Sequence, residues 1–401
     1  MESLSAPPDV LPPSTALPSA ALISTRPGRV YGTSLVRVAD LFEGVRADCR
    51  VDELARLFQE PSRQAVGVID AEGKALGLVT REHLFRLLGK PFGVEVLSRK
   101  AASSVVEAVR SFDQNANLFT VAEELSEDLE AHTVQYYLLN DAEGRFTGIF
   151  TSKDLLTWLS RMTQEDIALA GQLQVRLVPL RSGESGLGWF TQAFSHSAKG
   201  LGGDFYHVIP LGGQKVFVAL GDVSGKGVAA SILTSLLWGV LRFYDFRKGL
   251  KRLLLQVNEA LIHTFHLEKY LTGIFLTYDA ENRELTLADM GHGHSFLVRQ
   301  GKIRPLRFPN MNLPLGIDLG LEPTLYRLRL QPGDLVCLYT DGLTEQVSAE
   351  GHEFGDASVW RLASAPGNPQ ALPETLLAAL AAHQGAVPRL DDVSWLQLLV
   401  E

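Results

Sequence analysis

The sequence predicts a modular α+β protein: a repeated α/β unit, a connecting helix, and a larger α+β domain built on antiparallel sheets. Three observations lead there. Residues 69–84 (IDAEGKALGLVTREHL) and 140–155 (NDAEGRFTGIFTSKDL) repeat one pattern at a constant offset of 71. A helical stretch over about Ser152–Val178 follows the second copy without a Gly/Ser linker. From about Gly188 the pattern changes to short strands closed by Gly and Asp turns.

Composition bounds what the chain can do. At 401 residues, two or three domains are expected. Its 46% hydrophobic and 21% charged content is that of an ordinary globular protein. The longest apolar runs, such as Ser231–Val240, are too short and too polar for a membrane span. A net charge of -9 argues against a nucleic-acid partner, which needs concentrated Lys and Arg. It suits a site that gathers carboxylates around a cation. Two distant cysteines, Cys49 and Cys337, make a disulfide framework implausible and point to a reducing cytoplasm. Residues 1–32, rich in Pro, Ser and Ala and without a basic n-region, are expected as a disordered tail.

In each copy of the repeat, a strand (Ala65–Ile69 or Val134–Leu139) reaches an Asp/Gly turn. A second strand follows, and a helix begins after Thr80 or Thr151. A further helix precedes each copy, near Val51–Phe58 and Val121–Ala131. Two such units normally pack as one pseudo-symmetric domain. In the helical stretch, Leu155, Leu159, Met162, Leu169 and Leu173 fall near heptad spacing, broken at Asp166. That pattern suits a short seam between two copies of the chain, or a helix packed on its own domain.

The larger domain has candidate strands at Trp189–Ser195, Phe205–Ile209, Lys215–Leu220, Leu271–Tyr278, Glu284–Ala288, Phe296–Arg299, Leu325–Leu330, Leu335–Tyr339 and Val393–Val400. Candidate helices are Val228–Phe243, Leu250–Phe265 and Pro373–His383. Four segments place a carboxylate at a turn beside a strand: Gly202-Gly203-Asp204-Phe205-Tyr206, Gly221–Gly227 around Asp222, Tyr339-Thr340-Asp341-Gly342, and Leu390-Asp391-Asp392-Val393. Each alone is a routine turn. Together, on strands ending at one edge, they would form an acidic cleft. Clustered carboxylates repel one another unless a cation joins them. Oxygen ligands without His or Cys select hard ions, Mg(II) or Mn(II), over zinc.

Other chemistries fit poorly. Gly221–Gly227 lacks phosphate-loop spacing, and no Ser or Thr follows Lys226. Gly202–Phe205 lacks the second acidic residue of a cyclic-dinucleotide synthase motif. Neither cysteine opens a Cys-x5-Arg loop, since position 343 is Leu. His292 and His294 are too few for a metal site and read as a structural turn.

The series GGDFY, ALGDVSGKGVAAS, MGHGHSFLV, PLGI, GDLVCLYTDGLTE and DDVSWL resembles the SpoIIE/RsbU branch of the PPM metal-dependent phosphatases. The likeness covers about residues 165–401. The preceding Ala168-x-x-x-Gln172-x-x-x-x-Leu177-Val-Pro179 is similar to the helix that leads into that domain. The resemblance implies an αββα sandwich with two Mn(II) or Mg(II) ions. It implies that Asp222 bridges them with help from the Val223 carbonyl, that Asp204 holds one, and that Asp341 and Asp391 hold the other. These four aspartates would be the catalytic set, generating hydroxide that attacks a phosphoserine or phosphothreonine in line. Asp392 would sit behind the ligands. One departure is His207, where the family often has Asp.

The repeat, over about residues 35–160, resembles a CBS-domain pair, an adenine-nucleotide sensor. The resemblance implies that Thr151 grips phosphate and Asp154 the ribose. In the first copy Thr80 matches, but His83 stands in place of the Asp. Thr and Asp at a helix start are equally ordinary N-caps. The expected organisation is tail 1–32, CBS-like pair 33–160, linker helix 161–183 and phosphatase 184–401. The whole reads as a cytoplasmic protein serine/threonine phosphatase, expected as a homodimer. By resemblance, its substrate is a phosphorylated STAS-type anti-sigma-factor antagonist. A catalytically silent phosphoprotein-binding or nucleotide-sensing module is the competing expectation.

Overall fold

The computed structural model describes residues 22–25, 32–130, 133–309 and 312–401. The chain divides into two compact units, Met1–Thr163 and Gln164–Glu401. The helix Ser152–Leu177 runs as one element through the point where they divide. Among the described residues no helix is long and apolar enough to cross a membrane.

The N-terminal unit carries the repeat in its backbone. Glu43–Arg46 pairs parallel with Ala65–Ile69, which pairs antiparallel with Ala75–Thr80. One repeat later, Ser111–Asp113, Tyr136–Asn140 and Phe146–Thr151 do the same. Lys74 and Arg145, equivalent positions at the offset of 71, bridge one another, as a pseudo-twofold relation requires. Ile149 bridges to Leu41 and its counterpart Leu78 to Glu107, so each copy is closed by a segment preceding the other. The symmetry is broken in the core. Phe146 replaces the equivalent Ala75, and its ring lies where a Cβ on Gly67 would stand, 2.6 Å away. The region expected as one helix over Val121–Ala131 is two, Leu118–Glu124 and Ser126–Glu130.

The expected tail needs a correction. Leu22–Ser24 form a strand on Glu43–Val45. The physical reason is alternation: Leu22 and Ile23 each pack against a different apolar cluster. Residues 1–21 and 26–31 of that tail lie outside the described residues.

The C-terminal unit has a helix–sheet–sheet–helix order. One sheet runs Asp204–Gly212, Lys215–Val223, Leu271–Asp279, Glu284–Met290 and Tyr326–Arg329, all antiparallel. The other runs Lys302–Pro305, Ser295–Arg299, Leu335–Tyr339, Val393–Val400, Trp189–His196 and Arg181–Gly186. Alternation explains the layering. In Leu335–Tyr339, Val336 and Leu338 join the core between the sheets. Leu335, Cys337 and Tyr339 point the other way, into a second core with Val359, Leu376 and Leu380. Those three come from helices Gly355–Ser364 and Leu372–Gln384. All five strand residues are buried because both faces are covered. Helices Val228–Phe243 and Leu250–Phe265 cover the first sheet with Leu233, Leu237, Leu254 and Leu261.

The expected linker helix 161–183 is not helical to its end. Pro179 follows the helix, and Arg181 opens the edge strand Arg181–Gly186. Proline cannot continue a helix, and the residue before it favours extended backbone. Leu155 is fully buried in the N-terminal unit, with Leu159 packed beside it, so these two do not belong to an exposed seam. Leu169 and Leu173 are more than half exposed.

Candidate active site

Strand ends and turns of both sheets bring the aspartates together. Asp204 opens one strand and Asp222 closes its antiparallel neighbour, in register as direct partners. Asp341 begins a short helix immediately after the strand Leu335–Tyr339. Asp391 and Asp392 precede Val393–Val400. The last two turns are pressed together: a Cβ on Gly342 would lie 2.0 Å from the Asp392 carbonyl and 3.2 Å from Asp391 Cβ.

Each carboxylate has a different environment. Asp204 is buried, and Thr340 Oγ1 donates to its Oδ2 at 2.8 Å. The same hydroxyl accepts from the Ser394 N–H at 2.9 Å. Burial and the neighbouring Asp222 push the Asp204 carboxyl well above the usual range. Asp222 is pushed up to about 7, by burial first and then by Asp341, Asp391 and Asp392. Asp391 accepts from the Asp392 N–H at 2.9 Å and from Lys226 Nζ at 2.7 Å. Asp392 is buried and points into the preceding loop, accepting from Ala198 N–H at 2.8 Å and Gly203 N–H at 2.7 Å. It anchors that loop through these two hydrogen bonds.

Gly203 marks an oxygen-lined point beside this cluster. A Cβ there would meet Asp222 Oδ1 at 2.7 Å, the Val223 carbonyl at 2.8 Å and the Gly225 carbonyl at 3.2 Å. Among the described residues, no three His, Cys, Asp or Glu side chains close around a common point. The cluster is an open one whose donors are all oxygen, and burial and mutual repulsion both disfavour the charged forms of Asp204 and Asp222. That chemistry fits a hard divalent cation and does not fit zinc.

Some residues were not visible as site residues in the sequence. Gln174, two positions beyond Gln172, is the buried one. Its side chain donates to the Gly202 carbonyl at 2.7 Å and to Thr234 Oγ1 at 3.0 Å, and accepts from the Gly202 N–H at 3.0 Å. Its position four before buried Val178, on one helical face, was the available signal. Lys269 donates to the Ser224 carbonyl at 3.2 Å, clamping the turn after Asp222.

His207 stands apart from the cluster. It is buried, its Nε2 has no hydrogen-bond partner, and burial depresses its pKa to about 4. Strand alternation puts it on the opposite face from Asp204. His292 is structural, with Nε2 2.8 Å from the Tyr339 carbonyl.

The nucleotide-site candidates lie in the N-terminal unit. Thr151 and Asp154 bond reciprocally: Asp154 Oδ2 accepts from Thr151 N–H and Oγ1, and Thr151 Oγ1 accepts from Asp154 N–H. This is a helix-start capping arrangement. Thr80 Oγ1 accepts from the His83 N–H and donates to Glu107 Oε2 at 3.0 Å. His83 Nδ1 lies 3.2 Å from the other Glu107 oxygen. The capping role therefore accounts for all three residues locally.

Residues 212–401 match the family model for Stage II sporulation protein E (SpoIIE). That match lies within the C-terminal unit and covers slightly less than half of the chain. The chain is also similar to Phosphoserine phosphatase RsbU of Bacillus subtilis, with 25% identity over 154 residues, 38% of this chain and 46% of that protein. It is similar to Protein IcfG of Synechocystis, with 25% identity over 195 residues, 42% of this chain and 31% of that one. The chain thus matches less than half the length of either relative. The SiaA-PP2C domain of Pseudomonas aeruginosa shares the fold, with a TM-score of 0.51 and 18% identity over 61% of this chain and 99% of that one. The C-terminal unit thus has the mixed α+β fold of that domain.

Proposed function

We propose that this protein hydrolyses phosphoserine or phosphothreonine on a partner protein, using divalent cations held by the C-terminal unit. The observation that carries the proposal is the gathering of Asp204, Asp222, Asp341 and Asp391 at one end of the two sheets, with Asp222 raised to about 7 by burial and by its acidic neighbours. Asp204, Asp222, the Val223 carbonyl, Asp341 and Asp391 are the residues that would hold two Mn(II) or Mg(II) ions. When bound, such ions acidify water and neutralise phosphoryl oxygens.

The remaining work falls to the protein's own groups. Thr340 fixes one Asp204 oxygen, so the carboxylate keeps its direction in a buried site. Asp392 holds the Ala198–Gly203 loop through two backbone N–H groups. Gly203, lacking a Cβ, leaves the space against Asp222 and Val223 open. Gln174 ties that loop to helix Val228–Phe243.

The substrate we carry forward from the sequence is a phosphorylated STAS-type anti-sigma-factor antagonist. The relative named as a phosphoserine phosphatase supports a phosphoserine substrate. The N-terminal unit, with its repeated strand order, is proposed as a CBS-type sensor binding an adenine nucleotide at Thr151 and Asp154. Exposed Leu169 and Leu173 are proposed as part of a homodimer contact. The test of the substrate is direct: phosphorylated STAS-type proteins from the same organism are incubated with the full chain, and released phosphate is measured. Release from none of them, alongside release from other phosphoproteins, would retire the STAS assignment. Calorimetry with AMP, ADP and ATP tests the sensor, and no heat with any of them would leave the repeat as a structural module.

A further inference from the structure

Lys226 occupies a particular place in the acidic cluster. Its ammonium donates to Asp391 Oδ2 at 2.7 Å and to the Leu390 carbonyl at 3.4 Å. The other Asp391 oxygen is taken by the Asp392 N–H. Both oxygens of a proposed metal ligand are therefore engaged by groups of the chain itself. Lys226 sits between Gly225 and Gly227, both at positive φ, 94° and 77°. That backbone favours glycine and turns the loop back beside Asp222. The lysine side chain remains about half exposed, so it is free to leave. The carbonyl of Val223, three residues earlier, faces Gly203 beside Asp222. One loop thus carries a donor oxygen for a divalent cation and an ammonium paired to a ligand of the same proposed set.

We propose that Lys226 is a built-in counter-cation, which competes with a divalent metal for Asp391 and so sets the metal concentration at which the site fills. Two cations cannot both take Asp391 Oδ2 at contact distance without repelling one another. Metal binding then requires the ammonium to swing away. The ion pair is half exposed, a class contributing at most about 1 kcal/mol. Its removal should therefore tighten metal binding by up to about fivefold. The proposal rests on the metal-dependent reading above.

The experiment is Mn(II) titration of the full chain by calorimetry, comparing wild type, Lys226→Met, Lys226→Gln and Lys226→Arg, with circular dichroism to verify folding. The expected result is tighter Mn(II) binding in Lys226→Met and Lys226→Gln, by about three- to fivefold. Lys226→Arg, which keeps the charge, should stay near wild type. Wild-type binding with unchanged or weaker affinity in both neutral variants overturns the counter-cation role alone. No Mn(II) binding by folded wild type overturns the metal-dependent reading as well. If one neutral variant misfolds, the other decides.

Discussion

Asp204 and Asp222 are direct partners across an antiparallel strand pair, and Asp222 adds to the effect of burial in raising the Asp204 carboxyl well above the usual range. Two carboxylates at the end of one ladder, with Asp341, Asp391 and Asp392 acting on Asp222, form an arrangement of like charges. Such an arrangement weakens the fold and strengthens cation binding. Asp222→Asn should therefore melt higher than wild type in chelator. Relief of about 1 kcal/mol corresponds to roughly 2–4 °C for a unit of this size. The same variant should lose the stabilisation by Mn(II) seen in wild type. A lower melting point in chelator would mean that Asp222 makes a favourable contact of its own.

Thr340 serves two buried partners at once, donating to Asp204 Oδ2 and accepting from Ser394 N–H. Thr340→Val keeps the shape and strands both. The expected cost is about 1–3 kcal/mol, measured by urea unfolding. Thr340→Ser should recover most of it, and equal losses in the two variants would show that the methyl group matters instead.

Gly203→Ala places a methyl 2.7 Å from Asp222 Oδ1 and 2.8 Å from the Val223 carbonyl. Part of that obstacle is backbone, so the strain has no easy exit. Phosphatase activity should fall at least about tenfold, roughly 1.4 kcal/mol in the barrier. The unfolding midpoint should fall as well, because the same contact strains the folded backbone. Undiminished turnover would show that this space is not used.

His207 gives a pH prediction. Its folded pKa is about 4, below the ordinary value of 6.5. Above pH 6.5 both folded and unfolded states are neutral there, and it contributes no slope. Between pH 6.5 and 4 the unfolded state takes the proton first, so stability is lost as pH falls, by up to about 1.4 kcal/mol per unit. His207→Phe should flatten the stability profile over that window. An unchanged slope between pH 6.5 and 4 would place the proton uptake elsewhere.

Much of this architecture was legible because alternation and turn chemistry agreed. Val228–Phe243 and Leu250–Phe265 appear with the boundaries their apolar spacing predicts. Leu335–Tyr339 was legible as a strand because five apolar residues end at an Asp–Gly turn. Arg181–Gly186 was not, since RSGESG carries no apolar residue and holds its place only as an edge strand beside Trp189–His196. Helix Gly355–Ser364 was missed because its buried side rests mainly on Val359. Among site residues, the aspartates announced themselves through turns. Gln174 and Thr340 did not, because their role lies in which distant backbone groups they reach. Those partners, Gly202 and Asp204, follow only from the fold. The Thr151–Asp154 pair shows the converse: its motif was visible, and the helix start already uses both side chains.

The most direct test of the central claim is phosphate release from a phosphoserine protein by the full chain, with Mn(II) and with excess chelator, for wild type and Asp222→Asn. The account predicts turnover by wild type only with metal. It predicts a loss of at least about a thousandfold in Asp222→Asn, roughly 4 kcal/mol of barrier, with unchanged circular dichroism. Turnover that survives chelator, or a folded Asp222→Asn protein as active as wild type, would contradict it.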